Sequence, residues 1–182
     1  MDFIEIYDEA LPSENCDKLI EYFNNSPQTP GMVGDFKISP NHKKSTELDN
    51  SWFSLHNVAR DLIYNYLSTY TNKYVEKYYS IQPQCIGNWG VDDGFTLKKF
   101  EGEDDGFKKW HTEHSIPFPN RILVWMFYLN DAQSGTDFIN FPRVDAKKGR
   151  LVIWPSSWTH THRSAPNKGL KYIISGWYSF HQ

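Results

Sequence analysis

At 182 residues, with 16% of them aromatic, the chain can close one sizeable hydrophobic core and is read as a single domain, 1–182. Its net charge of −3 and the scatter of its lysine pairs (Lys43-Lys44, Lys98-Lys99, Lys108-Lys109, Lys147-Lys148) disfavour a nucleic-acid partner, which would want pooled positive charge. No apolar run approaches a membrane span, no basic leader opens the chain, and Cys16 and Cys85 have neither metal-site spacing nor disulfide density, so a soluble, cytoplasmic protein with no membrane partner is expected.

Residues 3–7 alternate apolar and acidic side chains, as a short strand does. Ser13 is the expected N-cap of a first helix. Glu14 and Asp17 follow in the turn where the helix dipole favours acids, and Cys16, Leu19, Ile20 and Phe23 fall at helical spacing as core residues. Residues 24–50, rich in proline and glycine, read as loop with a short extended piece at 43–47. Leu55, Val58, Ala59, Leu62, Ile63, Tyr66, Leu67 and Tyr70 form one apolar stripe at helical period, with His56 beside it at the surface. Pro83 and Gly87 close this helical part.

From residue 85 the texture changes to short strands separated by turns. Strands are expected at 96–100, 109–113, 121–130, 136–141, 151–154 and 172–179, with turns at 131–135 and at Lys148-Gly149. The segment 121–130 is mostly apolar, which predicts burial on both faces. Helices first (about 1–84) and strands afterwards (about 85–182) predict a mainly β fold with flanking helices, two N-terminal helices lying outside an antiparallel barrel or jelly-roll core. Trp52, Trp89, Trp125 and Trp154 are expected in that core.

Two clusters of metal-ligating side chains lie in the strand-rich part: Trp110-His111-Thr112-Glu113-His114 and Thr159-His160-Thr161-His162-Arg163. On a strand, residues two apart share a face, so His111 and Glu113 can reach one point while His114 points away to the surface. A histidine from a separate strand completes two imidazoles and one carboxylate. That set leaves octahedral positions open and suits a non-haem Fe(II) oxygenase. His160 and His162 also share a face, so geometry alone leaves the distal ligand open between them.

Over residues 95–178 the chain resembles the Fe(II)- and 2-oxoglutarate-dependent dioxygenases of the prolyl 4-hydroxylase type. His111-Thr112-Glu113 matches their H-x-D/E, and Arg121 opens a strand ending in the family's "YLN" at Tyr128-Leu129-Asn130. Ser134-Gly135-Thr136-Asp137-Phe138 is similar to their "GGxTxF", and Gly149-Arg150-Leu151-Val152-Ile153-Trp154-Pro155 to the strand before the distal histidine. His162-Arg163-Ser164-Ala165-Pro166, Lys171-Tyr172 and Gly176-Trp177 complete the order. In this family a proline follows the distal histidine by four positions and a basic residue by nine or ten; Pro166 and Lys171 meet both conditions from His162.

The resemblance implies a double-stranded β-helix and oxidative decarboxylation of 2-oxoglutarate to succinate and carbon dioxide, coupled to hydroxylation of an aliphatic carbon. It implies Fe(II) and 2-oxoglutarate as cofactors, molecular oxygen as co-substrate, and ascorbate as a reductant the chemistry admits. His111, Glu113 and His162 would be the metal-binding and catalytic residues. Lys171 would take the cofactor's far carboxylate, supported by the Tyr128 hydroxyl, with Trp177 closing the pocket. A prolyl residue in a peptide or protein is the substrate expected, with loops 24–50 and 90–94 to grip it. Rival readings are the same chemistry on a free amino acid, a small metabolite or an alkylated base, and an inactive jelly-roll binding module. Two departures stand out: Glu113 is a methylene longer than the commoner aspartate, and Phe100 has no hydroxyl where many relatives carry tyrosine.

Overall fold

The computed structural model describes residues 2–33, 37–103 and 105–181, so residues 34–36 of the expected loop lie outside the described residues. The N-terminal half contains β1 (Glu5–Tyr7), α1 (Ser13–Asn24), β2 (Thr29–Pro30), β3 (Lys43–Lys44), β4 (Thr46–Ser51), α2 (Val58–Lys77) and the short α3 (Pro83–Ile86). There follow β5 (Trp89–Phe100), β6 (Gly106–Phe107), β7 (Arg121–Tyr128), β8 (Gly135–Phe138) and β9 (Val144–Asp145). The chain ends with β10 (Leu151–Pro155), β11 (His162–Ser164) and β12 (Lys171–Phe180).

A seven-stranded antiparallel sheet in the order β1-β10-β7-β12-β5-β4-β2 faces a three-stranded sheet, β11-β8-β9, and β3 pairs with β6 beside them. This is the mainly β, jelly-roll architecture that the sequence predicts. The large sheet is apolar on both faces because each has its own cover. One face carries Phe95, Leu97, Leu123, Trp125, Phe127, Leu151, Ile153 and Ile174, which merge with Cys16, Leu19 and Phe23 of α1 and Ala59, Ile63, Leu67 and Tyr74 of α2. The other face carries Phe100, Val124, Met126, Tyr128, Val152, Trp154 and Ile173, which meet Phe138 and Val144 of the small sheet. β12 is the central strand: Ile174 faces Leu97 on one side and Phe127 on the other.

Several local expectations are corrected. Ser13 is the first helical residue of α1; the cap position belongs to Pro12, and no side chain caps that end. The side-chain cap is on α2, where Asn57 accepts from the Arg60 amide at 2.9 Å. α2 starts and ends later than the apolar stripe, leaving Leu55 and Val58 exposed. The extended piece expected at 43–47 is present as β3 and the start of β4, but the rest of the loop expected at 24–50 also carries β2 and the remainder of β4, and residues 90–94 belong to β5. Strands β1 and β4 join the same sheet as the later strands, so the sheet draws on both sides of residue 84. Residues 109–113 are not a strand, and His111 makes only an isolated bridge to His162. Trp52, Trp125 and Trp154 are buried, while Trp89 is partly buried against the core. Among the described residues no helix is long and apolar enough to cross a membrane.

Candidate functional site

The interior of the jelly roll contains a cavity of about 320 Å³ between the large sheet, β11 and the irregular segment that follows β6. A volume of that size is at the lower end of what small-molecule sites use. His111, Glu113 and His162 all line it, and their candidate ligand atoms lie within 4.8 Å of one another. The convergence does not come from strand alternation, because His111 and Glu113 are not on a strand. The backbone of His111 instead exchanges two hydrogen bonds of 3.0 Å with that of His162. The amides of Glu113 and His114 both donate to the Ser156 carbonyl, at 3.1 and 3.0 Å, which turns the segment so that Glu113 follows His111 into the cavity. His114 lies at the surface, its Nδ1 facing the Arg121 carbonyl at 3.1 Å.

Tautomers follow from the backbone. His111 Nδ1 faces the Lys109 carbonyl at 2.9 Å and His162 Nδ1 faces the His160 carbonyl at 3.0 Å. A carbonyl can only accept, so each ring carries its proton on Nδ1 and turns the Nε2 lone pair inward. Those two Nε2 atoms lie 3.5 and 3.7 Å from Glu113 Oε1. Burial, and then the charge His111 would carry, lower the pKa of His162, which keeps the ring neutral and ready for a metal. Burial opposes ionisation of Glu113, yet hydrogen bonds and charge from His111 and His162, in their protonated forms, hold the carboxyl well below its usual range. Three lone-pair donors converging on one point fit a divalent metal with open positions.

The rings are braced by aromatic neighbours. Phe107 stacks on His111 at 3.6 Å between centroids, and His162 sits edge-on to Trp154 at 5.2 Å. His160 is turned away from the cavity: its Nε2 meets the Asp2 carbonyl at 2.6 Å, its Nδ1 meets the Thr159 hydroxyl at 2.9 Å, and its ring stacks on Phe141.

Sequence reasoning passed over the group that orients Glu113. Arg121 Nη1 donates to Glu113 Oε2 at 3.3 Å, while its guanidinium lies between Phe118 and Trp177 at 3.8 and 3.5 Å from their ring centres. One carboxylate oxygen is therefore held by arginine and the other is presented to the imidazoles, an arrangement in which the longer glutamate side chain is stretched toward the ligand atoms. Arg121 had been read only as the start of a strand, and its position eight residues after Glu113 would have been the signal.

At the other end of the cavity lie Phe100, Thr136 and Ile173. Lys171 and Tyr128 stand behind this wall. Lys171 is 2% exposed, donates to Ser134 Oγ at 2.8 Å and lies 4.8 Å from the Phe100 ring centre. Burial, offset in part by Asp137, lowers its pKa to about 8. The Tyr128 hydroxyl is 2.7 Å from Thr136 Oγ1, and burial raises its pKa, so it stays protonated. Among the described residues Ser134 is the one hydrogen-bond partner of the Lys171 ammonium, which leaves donors free for an anionic ligand in the cavity. Ser134 and Thr136 come from the segment similar to "GGxTxF". Trp177 walls the cavity directly.

Facing sheets around a partly buried group of two imidazoles and a carboxylate are a setting that suits a non-haem Fe(II) site. Residues 95–179 match the model of the 2OG-Fe(II) oxygenase superfamily, whose cofactors are Fe(II) and 2-oxoglutarate, and this match supports a 2-oxoglutarate-dependent dioxygenase. Solved structures share the fold across nearly the whole chain. A Trichoplax adhaerens prolyl hydroxylase in complex with a hypoxia-inducible-factor peptide fragment superposes at a TM-score of 0.76, with 14% identity over 98% of this chain and 84% of that one. A Pseudomonas putida prolyl-4-hydroxylase gives 0.71, with 13% identity over 100% and 95%. The non-heme α-ketoglutarate-dependent epimerase SnoN from nogalamycin biosynthesis gives 0.67, with 9% identity over 98% and 79%. No curated protein sequence matches the chain.

Proposed function

We propose that this oxygenase hydroxylates an aliphatic carbon of a prolyl residue in a peptide or protein, releasing succinate and carbon dioxide. The observation that carries the reading is the surroundings of the triad: Phe107, Phe118, Trp154 and Trp177 line the cavity with it, and aromatic walls suit the apolar ring of proline. A second depression of about 340 Å³, lined by Phe53, Pro117 and Phe180 among others, shares Phe118 and Arg121 with the first. It offers an extended chain a continuous path away from the metal. The likeness to prolyl hydroxylases adds support at the level of fold.

In this reading His111, Glu113 and His162 hold Fe(II), each through a lone pair that the backbone or Arg121 has already aimed. Lys171, steadied by Ser134, receives the far carboxylate of 2-oxoglutarate, with the Tyr128 and Thr136 hydroxyls as neighbouring donors. Fe(II) and 2-oxoglutarate together supply the oxidising power, one atom of oxygen ending in succinate and the other as the product hydroxyl. The protein's share is orientation and the exclusion of water by its aromatic walls.

Short proline-rich peptides should stimulate succinate release in the presence of Fe(II), 2-oxoglutarate and air, and gain one oxygen atom on proline by mass spectrometry. Insertion into free proline alone, or demethylation of a methylated base, would overturn the peptide reading and leave an oxygenase.

A further inference from the structure

Lys98 is a cation of the cavity that neither the metal nor the cofactor uses. It lies on β5 between Thr96 and Phe100, with Glu47 of β4 on one side in register and Ile173 of β12 on the other. Its side chain lines the same cavity as the triad. Its ammonium donates to Ser175 Oγ at 2.7 Å and stands 5.8 Å from the Trp177 ring centre. Two of its three donors have no other hydrogen-bond partner among the described residues.

The nearby carboxylates each have other partners. Glu47 Oε1 takes both Lys43 Nζ and Ser45 Oγ, each at 2.7 Å. Asp49 accepts from Thr96 Oγ1 at 2.9 Å and is exposed to solvent. Glu113 is shared between the imidazoles and Arg121. Burial accordingly lowers the lysine's pKa despite the through-space pull of Glu47. Lys98 is partly exposed and lines the cavity, where an ammonium with free donors favours an anionic ligand through charge-assisted hydrogen bonds.

2-Oxoglutarate has two carboxylates; under the proposed function, on which this step rests, one goes to the metal and one to Lys171. A third anion must therefore come from the other substrate. We propose that Lys98 anchors a carboxylate of the primary substrate and so sets its specificity. That carboxylate is either the free α-carboxylate of a terminal proline or an acidic side chain next to an internal one.

The test uses the full chain loaded anaerobically with Mn(II) and 2-oxoglutarate, so that binding is read by calorimetry without turnover. The probes form two pairs: N-acetyl-L-proline against its amide, and acetyl-Pro-Glu-amide against acetyl-Pro-Gln-amide. Wild type should bind the acidic member of one pair about ten- to a hundred-fold more tightly, the range of a charge-assisted hydrogen bond. The first pair reports an α-carboxylate, the second an acidic side chain. Lys98→Met should bring that ratio close to one with 2-oxoglutarate affinity unchanged, and Lys98→Arg should restore most of the preference. Retained 2-oxoglutarate binding also shows that each variant is folded. Equal binding within both pairs, no binding of any probe, or a preference that survives Lys98→Met would overturn the proposal. So would a fall in 2-oxoglutarate affinity with the preference intact, which would give Lys98 to the cofactor. The hydroxylase reading fails separately: if the preferred probe binds but releases no succinate in air with Fe(II), the carboxylate anchor stands and the prolyl chemistry falls.

Discussion

Lys171 shows how one residue's surroundings set a measurable property of the whole site. Its ammonium is buried against Phe100 with Ser134 as hydrogen-bond acceptor, and its pKa sits near 8, below the ordinary lysine value. In the ligand-free protein it therefore loses its charge as pH rises through about 8. Between that point and the ordinary value the unfolded chain binds more protons, so the cost of burying the charge is fully present below about pH 8 and fades above it. In the proposed role of Lys171, the far carboxylate of 2-oxoglutarate would need the charged form. Its affinity, read by anaerobic titration with Fe(II), should be flat below that pH and then weaken by up to about tenfold per pH unit. Lys171→Arg should flatten the decline, because arginine keeps its charge. Lys171→Met should lose roughly 1.5–3 kcal/mol at neutral pH and show no decline. An alkaline decline that persists in Lys171→Met would give the titration to another group.

Elements were legible in the sequence where both sides of the segment do the same job. β7 after Arg121, and β10, are apolar because helices cover one face and the small sheet the other, and such runs announce themselves. β4 hid because its alternation is reversed in meaning: Leu48 packs on the core while Glu47 and Asp49 line the cavity, so the strand reads as a polar loop. β11 is three residues long and pairs with β8, and no period can be read from so short a run. Residue types and family likeness brought His111, Glu113 and His162 together, as the structure does, whereas 109–113 is not the strand expected, since long-range bonds from His162 and Ser156 shape that segment. Arg121 and Lys98 were missed because a charged side chain at the end or edge of a strand is ordinarily solvated. β12 carries its own constraint at Gly176. A Cβ there would lie 2.5 Å from Trp125 Cζ2 and 3.0 Å from Phe95 Cβ, both on buried residues. Gly176→Ala should therefore cost about 1–3 kcal/mol through overpacking. Gly94→Ala, where nothing lies within 4 Å, should stay within about 0.5 kcal/mol. Urea denaturation of the two variants checks this, and equal midpoints would mean that the Trp125 ring moves aside freely.

On the scale of the whole molecule, the triad ties together parts of the chain that have few other reasons to stay in register. The segment around His111 and Glu113 is irregular, and its backbone is held by single hydrogen bonds to Ser156 and by one bridge to His162. A metal bound to His111, Glu113 and His162 would close a loop of about fifty residues, and cross-links over long loops remove the most freedom from the unfolded chain. Metal binds the folded form alone when its ligands are assembled only there, so at a hundred times its dissociation constant it should add about 2.7 kcal/mol. For a chain of this size that is a rise of about 5–10 °C in Tm. Mn(II), which resists oxidation in air, is the convenient probe, with EDTA to reverse the effect. His111→Ala, Glu113→Ala and His162→Ala should each abolish the rise. His160→Ala should keep it, from a metal-free baseline lowered by about 1–2 kcal/mol, because that ring gives up the Asp2 carbonyl and its stacking on Phe141. The two histidines that the sequence left on one face are thus separable by a single thermal scan. A rise that survives His162→Ala and disappears in His160→Ala would move the metal to the other side of β11.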